Sequence, residues 1–401
     1  MTMIPFSFEA TRAAGLARLA EFAPRTARDY AAKRNTDEGP GVRSGVSMLS
    51  PYIRARMVTE EEVLSAVLER FSWTSAEKFI QEVFWRAYFK GHLETRPAIW
   101  HNYLTDLRNL ENIKGDLAYQ MAINGKTFIA CFDHWVDELK TTGYLHNHAR
   151  MWFASIWIFT LKLPWQLGAD FMYRHLIDGD PASNTLSWRW VGGLHTKGKT
   201  YLARPDNIEK YTNGRFKPSG LAVNAVALEE AQLPGPSPMP PASGQWPEGN
   251  YGLLFTSEDL VCEGAKPASI AIPLEPVSKP GGIEGTVSAD FRKAALHDTT
   301  LRLPPTQLHH LAALAPETVL QWCKDNNLST VAVAYAPVGP EADVLTLIEH
   351  HLSQHNITLL RVRRRYDTLT WPHATRGFFA LKEKIPSLLE KLNLSKQATL
   401  L

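Results

Sequence analysis

Apolar residues recur at three- and four-residue spacing through most of the first half of the chain. Leu16, Leu19 and Ala20 set this period within residues 8–34, and it dominates again from about residue 59 to residue 176. The spacing places apolar side chains along one face of a helix, whereas strand-like alternation is scarce there. Helices are predicted for residues 8–34, Glu60–Phe71, Ala76–Tyr88, Phe128–Leu139 and Ala149–Leu161.

The pattern changes after Phe216. Residues 217–249 contain seven prolines and little periodicity, which predicts a partly extended linker. Beyond the linker, short apolar or β-branched runs alternate with helical stretches, as in the βαβ units of a parallel sheet. Strands are predicted at Gly252–Phe255, Ser269–Pro273, Val331–Tyr335 and Thr358–Val362, and helices at Pro316–Asn326 and Glu341–Gln354. The predicted fold is mainly α: an all-helical domain at residues 1–216, then a smaller α/β, Rossmann-like domain at residues 250–401.

Composition and charge exclude several classes of protein. Hydrophobic residues make up 44% of the 401 residues and charged residues 21%, which is typical of a globular protein. The most apolar run, Met151–Leu161, falls well short of the ~20 residues that a membrane span needs, and the N-terminus does not resemble a secretory signal. The three cysteines form no CxxC pair, so no metal site is predicted. We expect a cytoplasmic monomer without membrane contact, and the net charge of +2 argues against a general nucleic-acid coating protein.

Two of four polar clusters in the first half lie before residue 90. In Gly45–Tyr52, small hydroxyl residues run into a predicted helix, so backbone N–H groups and hydroxyls could cradle a phosphate. The alternative is an ordinary helix start, with Ser50 as the N-cap and Pro51 at the first helical position. Glu82 and Arg86 are four residues apart and share a helix face with aromatic side chains; the alternative there is a surface ion pair.

The other two clusters lie on either side of the most apolar run. Tyr144–Trp152 contains His, Asn, His and Arg, which are expensive to bury without partners. The alternative is a structural network at a helix N-terminus, above all for His146. Leu176–Trp190 places Asp178 and Asp180 on either side of a glycine in apolar surroundings, so both carboxylates need cations or N–H donors. The alternative for this segment is a turn with a capping box.

In this order and spacing, the clusters resemble the flavin-binding domain of the photolyase/cryptochrome family over residues 15–216. The stretches that carry the resemblance are Tyr30–Asn35, Ser47–Tyr52, Glu82–Arg86, His146–Met151 and Leu176–Trp190. The resemblance implies that FAD is folded in a U shape inside the helical domain. The implied contacts near the FAD phosphates are Tyr30, Ser47, Leu49 and Ser50. The implied contacts with other parts of the cofactor are Arg86, Asn147, Arg150, Asp178, Asp180 and Asn184. Arg150 is expected to pair with Asp178 beside the isoalloxazine, Asp180 to bond the ring, and Asn184 to face flavin N5.

The same resemblance implies a substrate, a cyclobutane pyrimidine dimer in damaged DNA. The implied dimer contacts are Glu82, Trp85, Asn147, His148, Met151 and Trp190. A protonated Glu82 would hydrogen-bond a thymine carbonyl, while Trp85 and Trp190 would replace the base stacking that a flipped-out dimer loses. Members that repair (6-4) lesions carry histidine at the position of Met151, which argues against that substrate.

Several positions depart from the family's pattern. His148 stands where an arginine is usual, and Leu186-Ser187 replaces a glycine pair. Trp188 and Trp165 match the first two tryptophans of an electron-transfer chain, but Asn112 stands in place of the third. A different exit could use Trp135, Trp152 or Trp157. The implied catalytic residues are Glu82, Asn184, Trp188 and Trp165.

The second half has the strand–helix rhythm of the family's α/β antenna domain, which usually comes first in the chain. We therefore expect a rearranged domain order, and the antenna chromophore stays open between a folate, a deazaflavin and none. The leading hypothesis is a light-dependent repair lyase in which excited, reduced FAD gives an electron to the dimer. The alternative is a cryptochrome-like photoreceptor that binds FAD and signals to a protein partner. His148 favours the alternative, and the retained Glu82, Trp85 and Trp190 disfavour it. The third and least specific alternative is a structural relic of the family that does not bind flavin.

Overall fold

A computed structural model describes residues 7–394, and the first part of this range is helical. Its helices are α1 (Arg12–Phe22), α2 (Arg28–Lys33), α3 (Ser50–Arg54), α4 (Glu60–Leu68), α5 (Trp73–Glu94), α6 (Ala98–Asn109), α7 (Leu117–Ile123), α8 (Ala130–Thr142), α9 (Asn147–Ser155), α10 (Trp165–His175), α11 (Pro181–Val191) and α12 (Pro205–Tyr211). Residues 217–249 contain neither helix nor strand. Among the helices of residues 7–394, none is both long and apolar enough to cross a membrane.

A parallel five-stranded sheet forms the centre of the second part. Its elements are β1 (Gly252–Leu254), β2 (Ser269–Pro273), α13 (Thr286–Arg302), β3 (Leu308–Leu311), α14 (Pro316–Asp325), β4 (Thr330–Ala334), α15 (Pro340–Ser353), β5 (Thr358–Val362), α16 (Arg365–Thr370), α17 (Phe378–Lys382) and α18 (Ile385–Lys391). The strand order is β3-β2-β1-β4-β5. Connections leave β1 and β4 in opposite directions, so their carboxyl ends form the switch point where such sheets commonly bind ligands.

The four predicted strands are present, β2 and β5 with the predicted bounds. The single helix predicted over residues 8–34 is wrong, because Pro24 lies in a 3-10 turn that separates α1 from α2. The helix predicted over Ala149–Leu161 is interrupted as well, since α9 is followed by a π-helical turn at Ile156–Thr160. The apolar pattern does not predict β3, an edge strand with two exposed histidines, or α13, whose apolar residues are sparse.

Helix α5 belongs to the cores of both parts. It packs against α4 and α11 in the helical part, and against α16, α17 and a 3-10 turn at residues 371–373 in the α/β part. Gly91 permits the closest approach, because a Cβ there would lie 2.7 Å from the backbone of that turn. At the end of α5, buried Glu94 accepts a hydrogen bond from the Tyr335 hydroxyl at 2.6 Å. The predicted site residues of α5 are therefore held by the α/β part as well as by their own domain.

Candidate functional site

The turn between α10 and α11 carries the two predicted aspartates. Asp178 accepts hydrogen bonds from Ser50 Oγ at 2.5 Å and from Arg150 Nη2 at 2.8 Å, so the turn is joined to α3 and α9. Burial alone would lower the pKa of Arg150, but Asp178 outweighs it and the pKa is raised. The other carboxylate oxygen, Oδ1, is buried and has no hydrogen-bond partner among residues 7–394. A bound flavin could donate to that oxygen, so these residues suit the cofactor implied by the sequence.

Ser50 does not cap a helix. Helix α3 begins at Ser50 itself, with Leu49 at the N-cap position and no side-chain cap. The Ser50 hydroxyl donates to Asp178 instead, so the interpretation of this segment as an ordinary N-cap is wrong. In the loop before it, Ser47 Oγ accepts from the Leu49 N–H at 3.4 Å, and the Leu49 side chain is buried. Tyr30 also lies in the core, edge-on to Phe79 with ring centroids 5.1 Å apart. Phosphate binding by this loop stays a prediction.

Asp180 lies among cations that the sequence analysis did not connect with it. It caps α11 by accepting from the Ser183 N–H at 2.9 Å, as the turn-and-cap alternative expects. Its other oxygen lies 2.7 Å from Lys90 Nζ and 3.6 Å from Arg86 Nη1. Burial alone would raise the pKa of Asp180, but Lys90, Arg86 and Arg54 together hold it well below the usual range. Cations of the protein thus surround the carboxylate, but Oδ2 has no hydrogen-bond partner among residues 7–394, and a hydrogen bond to the flavin ring stays a prediction.

The same cations reach the α/β part at the carboxyl end of β1. Glu258 lies 2.7 Å from Arg54 Nη2 and 3.6 Å from Lys90 Nζ. Arg54 in turn donates from Nε to the carbonyl oxygen of Gly179 at 2.7 Å. From the α/β part, the Lys279 ammonium donates to the carbonyl oxygen of Leu176 at 2.9 Å. The segment predicted as the cofactor floor is therefore held from both sides of the domain boundary.

Asn184 and the predicted tryptophans lie on and around α11. The Asn184 amide donates to the carbonyl oxygen of Ala169 at 2.9 Å, which fixes its orientation. Trp188 meets Trp157 edge-on at 6.2 Å between ring centroids, whereas Trp165 stacks on Tyr103 at 5.7 Å. Trp157 is one of the three tryptophans considered as a different exit for electrons. Asn112 is exposed on a 3-10 turn, and a role for any of these residues in electron transfer stays a prediction.

Glu82 and Arg86 do not pair with each other. Glu82 forms a close ion pair with Arg34, which follows α2, and Arg86 binds Glu60 at 3.2 Å. The surface-pair alternative is therefore wrong. Burial raises the pKa of Glu82, and the Arg34 guanidinium opposes that rise. Sequence reasoning missed Arg34, although it lies inside the family-like stretch at residues 30–35.

The remaining predicted substrate contacts lie on α9 and α11. Asn147 is exposed at the start of α9, while Met151 and Trp190 are partly buried. Trp190 stacks on Tyr201, with ring centroids 5.4 Å apart and an angle of 28° between planes. His148 stacks on Tyr211 at 5.5 Å, and burial lowers its pKa to about 4, so the ring is neutral near pH 7. It therefore does not supply the positive charge of the arginine usual at its position.

His146 has the structural role that the alternative interpretation of this segment predicts, as part of a network at a helix N-terminus. It is the N-cap of α9, where Nδ1 accepts from the His148 N–H at 3.1 Å. Its Nε2 bonds to the carbonyl oxygen of Arg34 at 3.1 Å. Since the Arg34 side chain pairs with Glu82, this network connects the start of α9 to α5. The network orders the backbone around Asn147, and it gives no indication that His146 contacts a substrate or cofactor.

Comparison with known proteins identifies the helical region. Residues 79–220 match the family model described as the FAD binding domain of DNA photolyase. A deoxyribodipyrimidine photo-lyase of Thermus thermophilus is 32% identical over 190 residues, which are 47% of this chain and 44% of the relative. That of Streptomyces griseus is 28% identical over 211 residues, or 48% and 46% of the two chains. The chain thus spans less than half the length of these relatives.

A solved structure of a Synechocystis cryptochrome matches with a TM-score of 0.46 and 24% identity, over 53% of this chain and 45% of that one. The family model begins within α5 and runs past α12, so it includes Arg150, Asp178 and Asn184. The cofactor of this domain is FAD. Over residues 79–220, the chain is therefore similar to the FAD binding domain of DNA photolyase.

Proposed function

We propose that this protein is a light-dependent DNA repair lyase that splits cyclobutane pyrimidine dimers. The observation that carries the proposal is the group formed by Glu82, Arg34 and Trp85 on one side of α5. It combines a partly buried carboxylate, a guanidinium and a large ring, which a dimer needs and a photoreceptor does not. The names of the photo-lyase relatives support the same activity, although they are matched over less than half of their length.

The roles of this chain's residues follow from their chemistry. FAD, when bound and reduced, supplies one electron to the dimer on excitation and regains it afterwards, so the reaction has no net redox change. Trp85 and Trp190 stack against the flipped bases, which offsets the unstacking of the duplex. Arg34 and a protonated Glu82 donate hydrogen bonds to the pyrimidine carbonyls, where negative charge develops while the two carbon–carbon bonds between the rings break. Asn184, whose amide nitrogen donates to the carbonyl oxygen of Ala169, would hold a fixed orientation towards the cofactor.

The direct test is illumination of the reduced, FAD-loaded protein with an oligonucleotide that contains one dimer, followed by chromatographic measurement of the restored strand. Glu82→Gln should keep FAD bound and reduce the repair yield severalfold. Glu69→Gln, at an exposed position after α4, is the matched control and should leave the yield unchanged. No loss of dimer by the wild-type protein with bound, reduced FAD would refute the proposed function.

A cryptochrome-like photoreceptor is the second candidate, and one observation favours it. The neutral His148, which stacks on Tyr211, provides no cation for a DNA phosphate. Titrations with damaged and undamaged duplexes at several salt concentrations separate the two functions. A repair enzyme binds the damaged duplex more tightly at every salt concentration, and a photoreceptor shows no such preference.

A further inference from the structure

Trp85 is stacked on a residue of the α/β part. Its ring lies parallel to Phe378, with centroids 3.7 Å apart and an angle of 11° between planes. Phe378 begins α17 and is only 4% exposed, whereas the next residue, Phe379, is 74% exposed. One turn further along α17, Lys382 pairs with Glu77 of α5 at 3.1 Å. Helix α17 is therefore docked on α5 by a ring stack and an ion pair.

The stack continues into a group of aromatic side chains. Tyr88 meets both Trp85 and Phe378 edge-on, at 5.5 Å and 5.8 Å between centroids. Its hydroxyl bonds to Nε2 of His195 at 2.9 Å. His195 lies in the turn after α11, a few residues beyond Trp190. Contacts thus run from α17 through Trp85 to the segment that carries the second predicted stacking ring.

An indole ring has two faces, and Phe378 covers one of them. Trp85 also meets Phe89 at 5.4 Å between ring centroids, yet it is only partly buried, so part of the indole stays accessible. A ring held in place before binding loses little conformational freedom when a base stacks on it, and affinity rises accordingly. A free Trp85 would have to be ordered by the substrate itself.

We propose that Phe378 is a positioning residue for substrate binding, through which the α/β part fixes the plane of Trp85 for a flipped pyrimidine. The inference rests on the proposed function, because it takes the substrate to be a dimer in DNA. The α/β part would thereby contribute to the binding of damaged bases, and this contribution does not require an antenna chromophore. The substrate wall is thus shared by α5 and α17.

The test compares Phe378→Leu with Phe379→Leu in the full-length, FAD-loaded protein. Leucine keeps an apolar side chain in the buried position but removes the ring stack. The affinity for a dimer-containing oligonucleotide, measured by fluorescence anisotropy, should fall roughly three- to tenfold for Phe378→Leu, in line with the strength of aromatic pairs. Repair by the saturated complex and the flavin content should not change. Phe379→Leu should match the wild type, and Phe378→Tyr should restore the affinity.

The outcomes separate this inference from the proposed function. A wild-type protein without preference for damaged DNA refutes the proposed function itself. A wild-type preference that Phe378→Leu leaves unchanged refutes the positioning role alone. Tighter binding by Phe378→Leu also refutes it, because Phe378 would then compete with the base for Trp85. A loss of affinity that Phe378→Tyr does not restore would show a general packing defect and would overturn the inference as well.

Discussion

Replacing Lys90 with methionine tests whether the domain boundary depends on the buried charges around Asp180. The Lys90 side chain is almost fully buried, with Nζ 2.7 Å from Asp180 and 3.6 Å from Glu258. At an effective dielectric constant of about 20, these distances correspond to attractions of about 6 and about 5 kcal/mol. Desolvation offsets much of this, and removal of one member of a buried ion pair costs ~3–5 kcal/mol. Because Arg86 and Arg54 remain beside the two carboxylates, we expect a loss of about 3 kcal/mol for Lys90→Met.

The assay is urea unfolding followed by tryptophan fluorescence and by circular dichroism. Lys78→Met is the matched control, since Lys78 lies on the same helix but is exposed. The double variant Lys90→Met/Asp180→Asn should recover part of the loss, because it removes the stranded charge while asparagine still caps α11. An unfolding midpoint for Lys90→Met equal to that of Lys78→Met would refute the reasoning, because the buried ion group would then contribute nothing to stability.

Three further predictions concern the same boundary and the floor. Burial lowers the pKa of the Lys279 side chain to about 7, whereas in the unfolded chain the same group keeps its proton up to about pH 10.4. Because the folded protein loses this proton at lower pH than the unfolded chain does, the free energy of unfolding should increase as pH rises from about 7 to about 10. Lys279→Met should flatten that rise in urea midpoints, and an unchanged slope would contradict the assignment. Gly91→Ala should lower the melting temperature despite alanine's higher helix propensity, because the added Cβ would lie 2.7 Å from the backbone of Trp371. Gly115→Ala is the control: a Cβ there has open space around it, so the melting temperature should not fall. Asp178→Ala should lower the flavin absorbance per protein by stranding Arg150, and full occupancy would exclude a structural role for the pair.

The sequence was sufficient for one contact between two family-like segments, although it missed the Arg34–Glu82 pair, which also joins two of them. The Arg150–Asp178 pair forms as predicted, since both residues belong to recognised stretches. Strand β2 could be predicted because it is a short, fully buried apolar run. Strand β5 lies at the edge of the sheet and is only partly buried, and it was predicted from its β-branched residues Thr358 and Val362. Lys90 could not be connected with Asp180 in the same way. Which basic residue approaches a carboxylate depends on how α5 packs against α11, and a single sequence contains no signal of that packing.

The same limit explains why Phe378 and Glu94 were missed. Periodicity predicts that α5 is a helix with one apolar face, but buried polar residues such as Glu94 interrupt the pattern. Their partners, such as Tyr335, come from the α/β part more than 200 positions later. Neither residue belongs to a motif, so only the folded chain reveals the contact. The prediction of separate domains therefore understates how closely the two parts share one core.

The switch point of the sheet has consequences for any second chromophore. Open α/β sheets commonly bind ligands at this point, but here Glu258 and Asp259, which follow β1, are buried against arginines of the helical part. A ligand that bound Glu258 would have to displace Arg54, which also holds the Gly179 carbonyl of the cofactor floor. Such displacement would leave buried charges unpaired and would loosen the floor. We therefore expect the carboxyl end of β1 to support the flavin site, and any antenna chromophore to bind elsewhere.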